Sequence, residues 1–253
     1  MLPRVVDLLH RRDEGGEARP ARPYCRMCGH LTLATIGTVR GYLFLECSSC
    51  GFTFAPAITR PAVDALLGSG DRGPDDASPS EGSADPGFLR PALDRLAGSG
   101  PLTILDFGTG QSRVPGLLRA CGHRVIAVDL APPLAPHPDR LTGSLHSLRL
   151  PRAAFDLAFA FQVFEHLPEP RPYLDELLRI VRPGGLVLIH TDMEVPERAA
   201  GFEQWPYVLP PDHCSFYRHR TFDAALERSP HRIAWKDPKC VIIEVGRAGA
   251  AAE

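Results

Sequence analysis

The segment LTILDFGTGQSRVPGLLRACGHRVIAVDL, residues 102–130, constrains this chain more than any other. An apolar run from Leu102 to Phe107 carries Asp106 and leads into Gly108 and Gly110. Helical spacing follows as far as Cys121, and a second apolar run spans Val125 to Val128. Glycines between a strand and a helix let the backbone approach a ligand closely, and the helix start offers unpartnered N–H groups. Asp129 stands 19 residues after Gly110 at the end of the next strand. A carboxylate there can accept both hydroxyls of a ribose.

Such a pocket suits a dinucleotide or S-adenosylmethionine, and two residues favour the second. Arg113 occupies the place of the third glycine in G-x-G-x-x-G. Asp106 precedes the first glycine by two, where a carboxylate accommodates a cofactor ammonium better than a pyrophosphate. Further along, Phe155 to Phe161 and Leu186 to Ile189 read as buried strands, with a helix from Tyr173 to Val181 between them. Phe88, Leu89, Leu93 and Leu96 suggest a short helix ahead of this region. Apolar strands alternating with helices indicate a parallel sheet covered on both faces. The end differs: Arg232 to Trp235 and Val241 to Val245 flank Asp237-Pro238 and read as a hairpin.

The N-terminal part carries a different signal. Cys25-Arg-Met-Cys28-Gly29 and Cys47-Ser-Ser-Cys50-Gly51 form two C-x-x-C-G pairs separated by 18 residues. Pairs at this spacing point to tetrahedral Zn2+ rather than to disulfides. The intervening LTLATIGTVRGYLFLE reads as a small hairpin. Four thiolates close the coordination sphere, so the expected role is structural. Ligation would largely fold so small a module. Removing Cys47 is therefore expected to unfold residues 24–56 and leave the C-terminal sheet intact. Of the other cysteines, Cys121 is expected to be buried, and Cys214 lacks a recognisable oxyanion arrangement beside it.

From about Phe88 to Val245 the chain resembles the class I S-adenosylmethionine-dependent methyltransferases. The resemblance rests on D-F-G-T-G, Asp129, the strand FDLAFAFQ, VFEHL and LLRIVRPGGLVLI. It is similar to bacterial members with an N-terminal zinc ribbon and a late D-H-x-S-F-Y segment, here Asp212 to Tyr217, among them zinc-bearing sugar C-methyltransferases. The resemblance implies an α/β chain with a Rossmann-like sheet, mostly parallel with its last strand antiparallel, and a small zinc ribbon. By the same resemblance S-adenosylmethionine is the cofactor. Gly108 and Gly110 would approach its methionine part, Asp129 its ribose, and Gln162 would lie beside it. His213 is the candidate base, with Asp212 to orient it; the plainer reading has His213 only pinning a lid by hydrogen bonds. Glu165 and His166 are expected to fix a turn. Phe161, Phe164, Trp205, Tyr207 and Tyr217 are candidates to face a sulfonium. The chain departs from the family in the Pro-rich APPLAPHP after Asp129, and in GSLHS (Gly143 to Ser147) where relatives carry an acid near adenine.

These signals divide the chain into an arm (1–23), a ribbon (24–56), a linker (57–87), a catalytic domain (88–247) and a tail (248–253). Lys+Arg 28 against Asp+Glu 30 leaves a formal charge of -2, which disfavours nucleic acid as a partner. No apolar run approaches the roughly 20 residues of a membrane span, and the N-terminus lacks a secretory apolar core. A cytoplasmic enzyme with a small-molecule acceptor is expected, a sugar or another biosynthetic intermediate. Three rivals stand: an RNA methyltransferase gripping through Arg22, Arg26, His30 and Arg40 of the ribbon, a non-catalytic interaction protein, and more distantly a nicotinamide oxidoreductase.

Overall fold

The computed structural model describes residues 24–68, 86–133, 137–197 and 199–247. The chain enters through a hairpin, β1 (Leu33–Val39) and β2 (Tyr42–Cys47), paired antiparallel. Arg40 (φ 49°) and Gly41 (φ 82°) form its two-residue turn, where both positions need positive φ. A two-residue strand, β3 (Thr53–Phe54), pairs with β2. Helix α1 (Arg60–Gly68) then forms inside the expected linker. Ile58 and Val63, each 2% exposed, explain it: the apolar patch docks, so ordered chain continues past residue 56. The polar part of that linker, 69–85, lies outside the described residues, as do the expected arm 1–23 and tail 248–253.

A 3-10 turn (Pro86–Leu89) leads into α2 (Arg90–Arg95), which has proline in its first turn. Then come β4 (Thr103–Phe107), α3 (Val114–Ala120), β5 (Arg124–Asp129), β6 (Arg140–Thr142) and β7 (Phe155–Phe161). Helix α4 (Pro170–Ile180) and strand β8 (Val181–His190) follow. A long segment holds α5 (Ala199–Glu203) and β9 (Ser215–Phe216), and α6 (His219–Leu226) precedes the final hairpin, β10 (Arg232–Asp237) and β11 (Cys240–Glu244). The large sheet has the order β10-β11-β8-β7-β4-β5-β6. Its β4, β5, β6, β7 and β8 are parallel neighbours, while β11 runs antiparallel between β8 and β10.

Alternation along the strands splits the core between the two faces. Leu105, Phe107, Ala158, Val187 and Val241 belong to one cluster with Leu174 and Leu177 of α4. Ile104, Leu157, Phe159, Leu188 and Ile242 belong to another with Ala92, Val114 and Leu118. This two-faced burial is why β7 is apolar at nearly every position. Cys121, expected inside, is exposed because it caps the solvent-facing end of α3.

The N-terminal hairpin shares its interior with the segment after β8. Strand β9 pairs with β3, Thr53 opposite Phe216 and Phe54 opposite Ser215, completing a four-stranded sheet β1-β2-β3-β9. Ile36, Phe44 and Ile58 form one apolar cluster with Val195, Phe202, Val208 and Phe216. Arg218 reaches Glu46 at 2.9 Å, Thr221 Oγ1 donates to the Cys50 carbonyl at 2.9 Å, and Arg26 donates to the Pro168 carbonyl at 3.2 Å. The N-terminal module thus shares one sheet and one apolar interior with the segment after β8. Among the described residues no helix is long and apolar enough to cross a membrane.

Candidate active site and cysteine cluster

The carboxyl ends of β4 and β5 bring Asp106, Gly108, Gly110 and Asp129 together, where open α/β sheets place their ligands. Gly108 takes φ +77° because its amide and that of Thr109 turn back to the Val128 carbonyl, at 2.8 and 3.2 Å. A Cβ on Gly108 would overlap Val163 Cγ2 and stand 3.1 Å from Cγ1. Gly110 (φ +51°) is the reverse: a Cβ there would meet nothing within 4 Å. Asp129 Oδ2 accepts the Gly110 amide at 2.7 Å, and its Oδ1 accepts the Ala131 amide at 2.9 Å. Arg140 donates to the Gly110 carbonyl from the other side. Asp106 is 3% exposed, and its Oδ2 has no hydrogen-bond partner. Burial pushes its pKa up to about 7, with the nearby Asp129 charge adding to the effect.

Gln162 sits just past β7 with φ +53°, its Nε2 3.1 Å from His190 Nδ1. Its Oε1 lies 3.0 Å from the Tyr207 hydroxyl oxygen. That hydroxyl also lies 2.5 Å from Glu165 Oε1 and 3.0 Å from Thr191 Oγ1, so Tyr207 is the hub joining the β7 and β8 ends to the long segment between β8 and α6, the covering segment. Sequence reasoning named Tyr207 only as one aromatic among five; nothing in WPYVLP marks it as a hydrogen-bond centre. Phe164 and Tyr217 are fully buried packing residues, the Tyr217 hydroxyl donating to the Phe164 carbonyl at 2.7 Å. They do not face the pocket.

Glu165 is fully buried, and its Oε2 has no partner. His166 Nδ1 lies 3.0 Å from Asp212 Oδ1, so the residue expected to orient His213 holds His166. The same contact takes Glu165-His166 beyond fixing a local turn, because it ties them to the covering segment. Burial opposes protonation of His166, but Asp212 and Glu165 carry its pKa above the ordinary value. His213 Nδ1 lies 2.7 Å from the Tyr207 carbonyl and donates to it. Burial and the neighbouring His166 lower the His213 pKa. The two rings are 4.8 Å apart. Cys214 is buried, its thiol pushed up to about 12 by desolvation, so it stays protonated and inert. Beside His190, an open cleft of about 400 Å³ runs between Phe88 and the β10–β11 turn, lined also by Trp235 and Lys239.

At the other centre, Cys25, Cys28, Cys47 and Cys50 place their sulfurs within 4.8 Å of one another. Cys25 Sγ and Cys50 Sγ are 3.6 Å apart, Cys28 Sγ and Cys47 Sγ 3.7 Å. Tetrahedral coordination at about 2.3 Å from metal to sulfur requires sulfurs about 3.8 Å apart, so the four thiols fit one ion. Gly29 (φ +79°) and Gly51 (φ +71°) complete the two turns. A hydrogen bond from Cys50 lowers the Cys25 pKa, which favours the thiolate form that a metal binds.

A sheet with one antiparallel insertion, a glycine turn after its first parallel strand and an acid ending the second define a class I methyltransferase fold. Residues 83–229 match the family described as Methyltransferase domain, and the chain belongs to it. It is 30% identical over 152 residues to the malonyl-[acyl-carrier protein] O-methyltransferase of Yersinia pestis, covering 52% of this chain and 57% of that protein. It is 35% identical over 96 residues to the enzyme of that name from Serratia marcescens, covering 35% of this chain and 37% of that protein. The matches thus span less than two thirds of these relatives. Among solved structures, the Burkholderia thailandensis 1,6-didemethyltoxoflavin-N1-methyltransferase with bound S-adenosylhomocysteine shares the fold at TM-score 0.51 and 17% identity, over 80% of this chain and 99% of that one.

Proposed function

We propose that the protein transfers a methyl group from S-adenosylmethionine to a small-molecule acceptor, a sugar or another biosynthetic intermediate. The observation that carries the reading is the partnerless Asp106 oxygen buried beside a glycine turn whose Gly110 side is open. A buried carboxylate oxygen without a donor is costly unless a ligand supplies one. Asp106 would receive the cofactor ammonium, and Gly108 and Gly110 would line its methionine part. Asp129 would exchange its Gly110 contact for ribose hydroxyls, and Gln162 would flank the methyl-bearing end. When bound, the cofactor supplies an electrophilic methyl on a sulfonium.

His213 is the base for a neutral acceptor. Its Nδ1 is committed to the Tyr207 carbonyl, which leaves Nε2 to take a proton. The covering segment excludes water above the strand ends and holds acceptor against methyl. The four cysteines hold a structural Zn2+, in keeping with their sulfur spacing and with a reducing cytoplasm. An RNA-gripping ribbon is disfavoured because Arg26 is spent inside the protein, on the carbonyls of Pro56, Ile58 and Pro168.

Calorimetric titration of the full chain tests the reading. S-adenosylmethionine and S-adenosylhomocysteine should bind, NAD should not, and Asp129→Ala should abolish binding. A folded protein that binds neither adenosyl ligand would overturn it.

A further inference from the structure

We propose that Glu165, His166 and His213 form a second metal site, taking a divalent transition-metal ion with coordination positions open to an oxygen of the methyl acceptor. One donor atom from each of the three residues lies within 4.8 Å of the others. Donors this close together can converge on one zinc-like ion, which imidazole nitrogen and carboxylate oxygen bind at roughly 2.0–2.2 Å. Glu165 is 0% exposed, one oxygen accepting from Tyr207 and the other, Oε2, without any hydrogen-bond partner. No proton bridges that oxygen to either imidazole, so a simple Glu–His hydrogen bond does not account for the cluster.

The outer contacts point the same way. A metal-binding imidazole commonly donates its other ring nitrogen to a carboxylate or a carbonyl, which fixes its tautomer and orientation. Both forms are present here: His166 Nδ1 is held by Asp212, and His213 Nδ1 by the Tyr207 carbonyl. Each ring has Nε2 left as a ligand. Two imidazoles and one carboxylate suit Zn2+, Mn2+, Fe2+ or Co2+ better than Mg2+ or Ca2+, which prefer oxygen throughout. Three protein ligands leave at least one position open. His166 and His213 are both partly exposed, which provides an entry path.

The site's role rests on the methyltransferase reading; the site itself does not. Tyr207 contacts Gln162 and Glu165 through one hydroxyl, so the cluster adjoins the expected methyl-bearing end. An acceptor hydroxyl bound to the ion would release its proton to solvent more readily. Its oxygen electron pair would then form the new bond to the methyl carbon, while the electrons of the broken carbon–sulfur bond stay on sulfur. The Nε2 lone pair of His213 cannot bind metal and proton at once, so in the metal-loaded protein deprotonation passes from His213 to the ion.

Mn2+ is the probe, because a four-thiolate site selects softer metals. Titration of the full chain, followed by loss of the free-ion paramagnetic signal, should show one Mn2+ per chain. Glu165→Gln and His213→Ala should each weaken binding at least about tenfold, and Asp212→Asn by about 10–100-fold. His213 lies on the covering segment, so that variant keeps the test valid if Glu165→Gln does not fold. Adenosyl-ligand binding is measured on the same samples. A wild-type chain that binds S-adenosylmethionine but takes no Mn2+ overturns the site, as does unchanged Mn2+ affinity in folded His213→Ala. Mn2+ binding without adenosyl-ligand binding supports the site and removes only its link to methyl transfer.

Discussion

Replacing Gly108 by alanine separates two demands that the glycine turn places on one residue. The backbone at φ +77° costs an L side chain about 1–2 kcal/mol. The new Cβ would also overlap Val163 Cγ2, and the amide bonded to Val128 O keeps the backbone from backing away. Overpacking of this kind costs about 1–3 kcal/mol. Together roughly 2–5 kcal/mol is lost from a net stability on the order of 5–15 kcal/mol. At about 2–4 °C per kcal/mol for a chain of this size, the melting temperature should fall by about 5–15 °C. Scanning calorimetry without ligand reads the total, and a double-mutant cycle with Val163→Ala isolates the clash. The double variant should recover about 1–3 kcal/mol relative to the sum of the singles. Additive effects would refute the overlap as the cause. Gly110→Ala is the control: it keeps only a conformational cost of about 1 kcal/mol. Its Cβ stands on the open side, so adenosyl-ligand affinity should fall while the fold persists.

Asp106→Asn should stabilise the unliganded protein as pH rises. A carboxyl held at about 7 when folded, against an ordinary 3.8, keeps its proton longer in the folded state, so wild-type stability falls between about pH 4 and 7. Urea unfolding should show the variant gaining roughly 2–3 kcal/mol on wild type between pH 5 and 8; a constant difference would contradict a carboxyl whose pKa burial raises. His213→Ala should lose turnover while retaining adenosyl-ligand binding, and unchanged turnover removes it from the chemistry. Cys47→Ser should release zinc and, by freeing β3 from β2, lower adenosyl-ligand affinity as well; metal loss with unaltered ligand binding would show the hairpin to be energetically separate.

The large sheet was legible because burial on both faces forces uninterrupted apolar runs, as in β7, and because Asp237-Pro238 punctuates the last hairpin. Gly108, Gly110 and Asp129 were legible because close backbone approach and a strand-end acid restrict residue choice. Helix α1 was not, since Pro61 and a polar continuation mask the docking of Ile58 and Val63. The union of hairpin and covering segment was invisible for a stronger reason. Strands β3 and β9 are two residues each, too short for periodicity, and pair across some 160 positions of sequence. Asp212 likewise gave no sign that it would partner His166, 46 residues away.

That union bears on how the covering segment finds its place. His213 lies two residues before Ser215, whose strand pairs with β3, and β3 follows directly on the second cysteine turn. The Cys214 amide donates to the Glu165 carbonyl at 2.9 Å, and Ser215 Oγ donates to the Leu167 carbonyl at 2.6 Å. One short stretch is thus fixed on one side by the hairpin and on the other by the loop that carries Glu165 and His166. A one-residue slip in a strand pair sends each side chain to the opposite face. Here it would withdraw Phe216 from Phe44 and Phe202, whose rings lie 5.8 and 5.6 Å away, and turn the neighbouring residues out of register. Two strand residues alone do not resist such a slip; the aromatic cluster does, and a metal-bound cysteine turn behind β3 would add to it. A metal held by the four cysteines would therefore act on the stretch that carries His213 without touching it, by fixing the turn from which β3 starts.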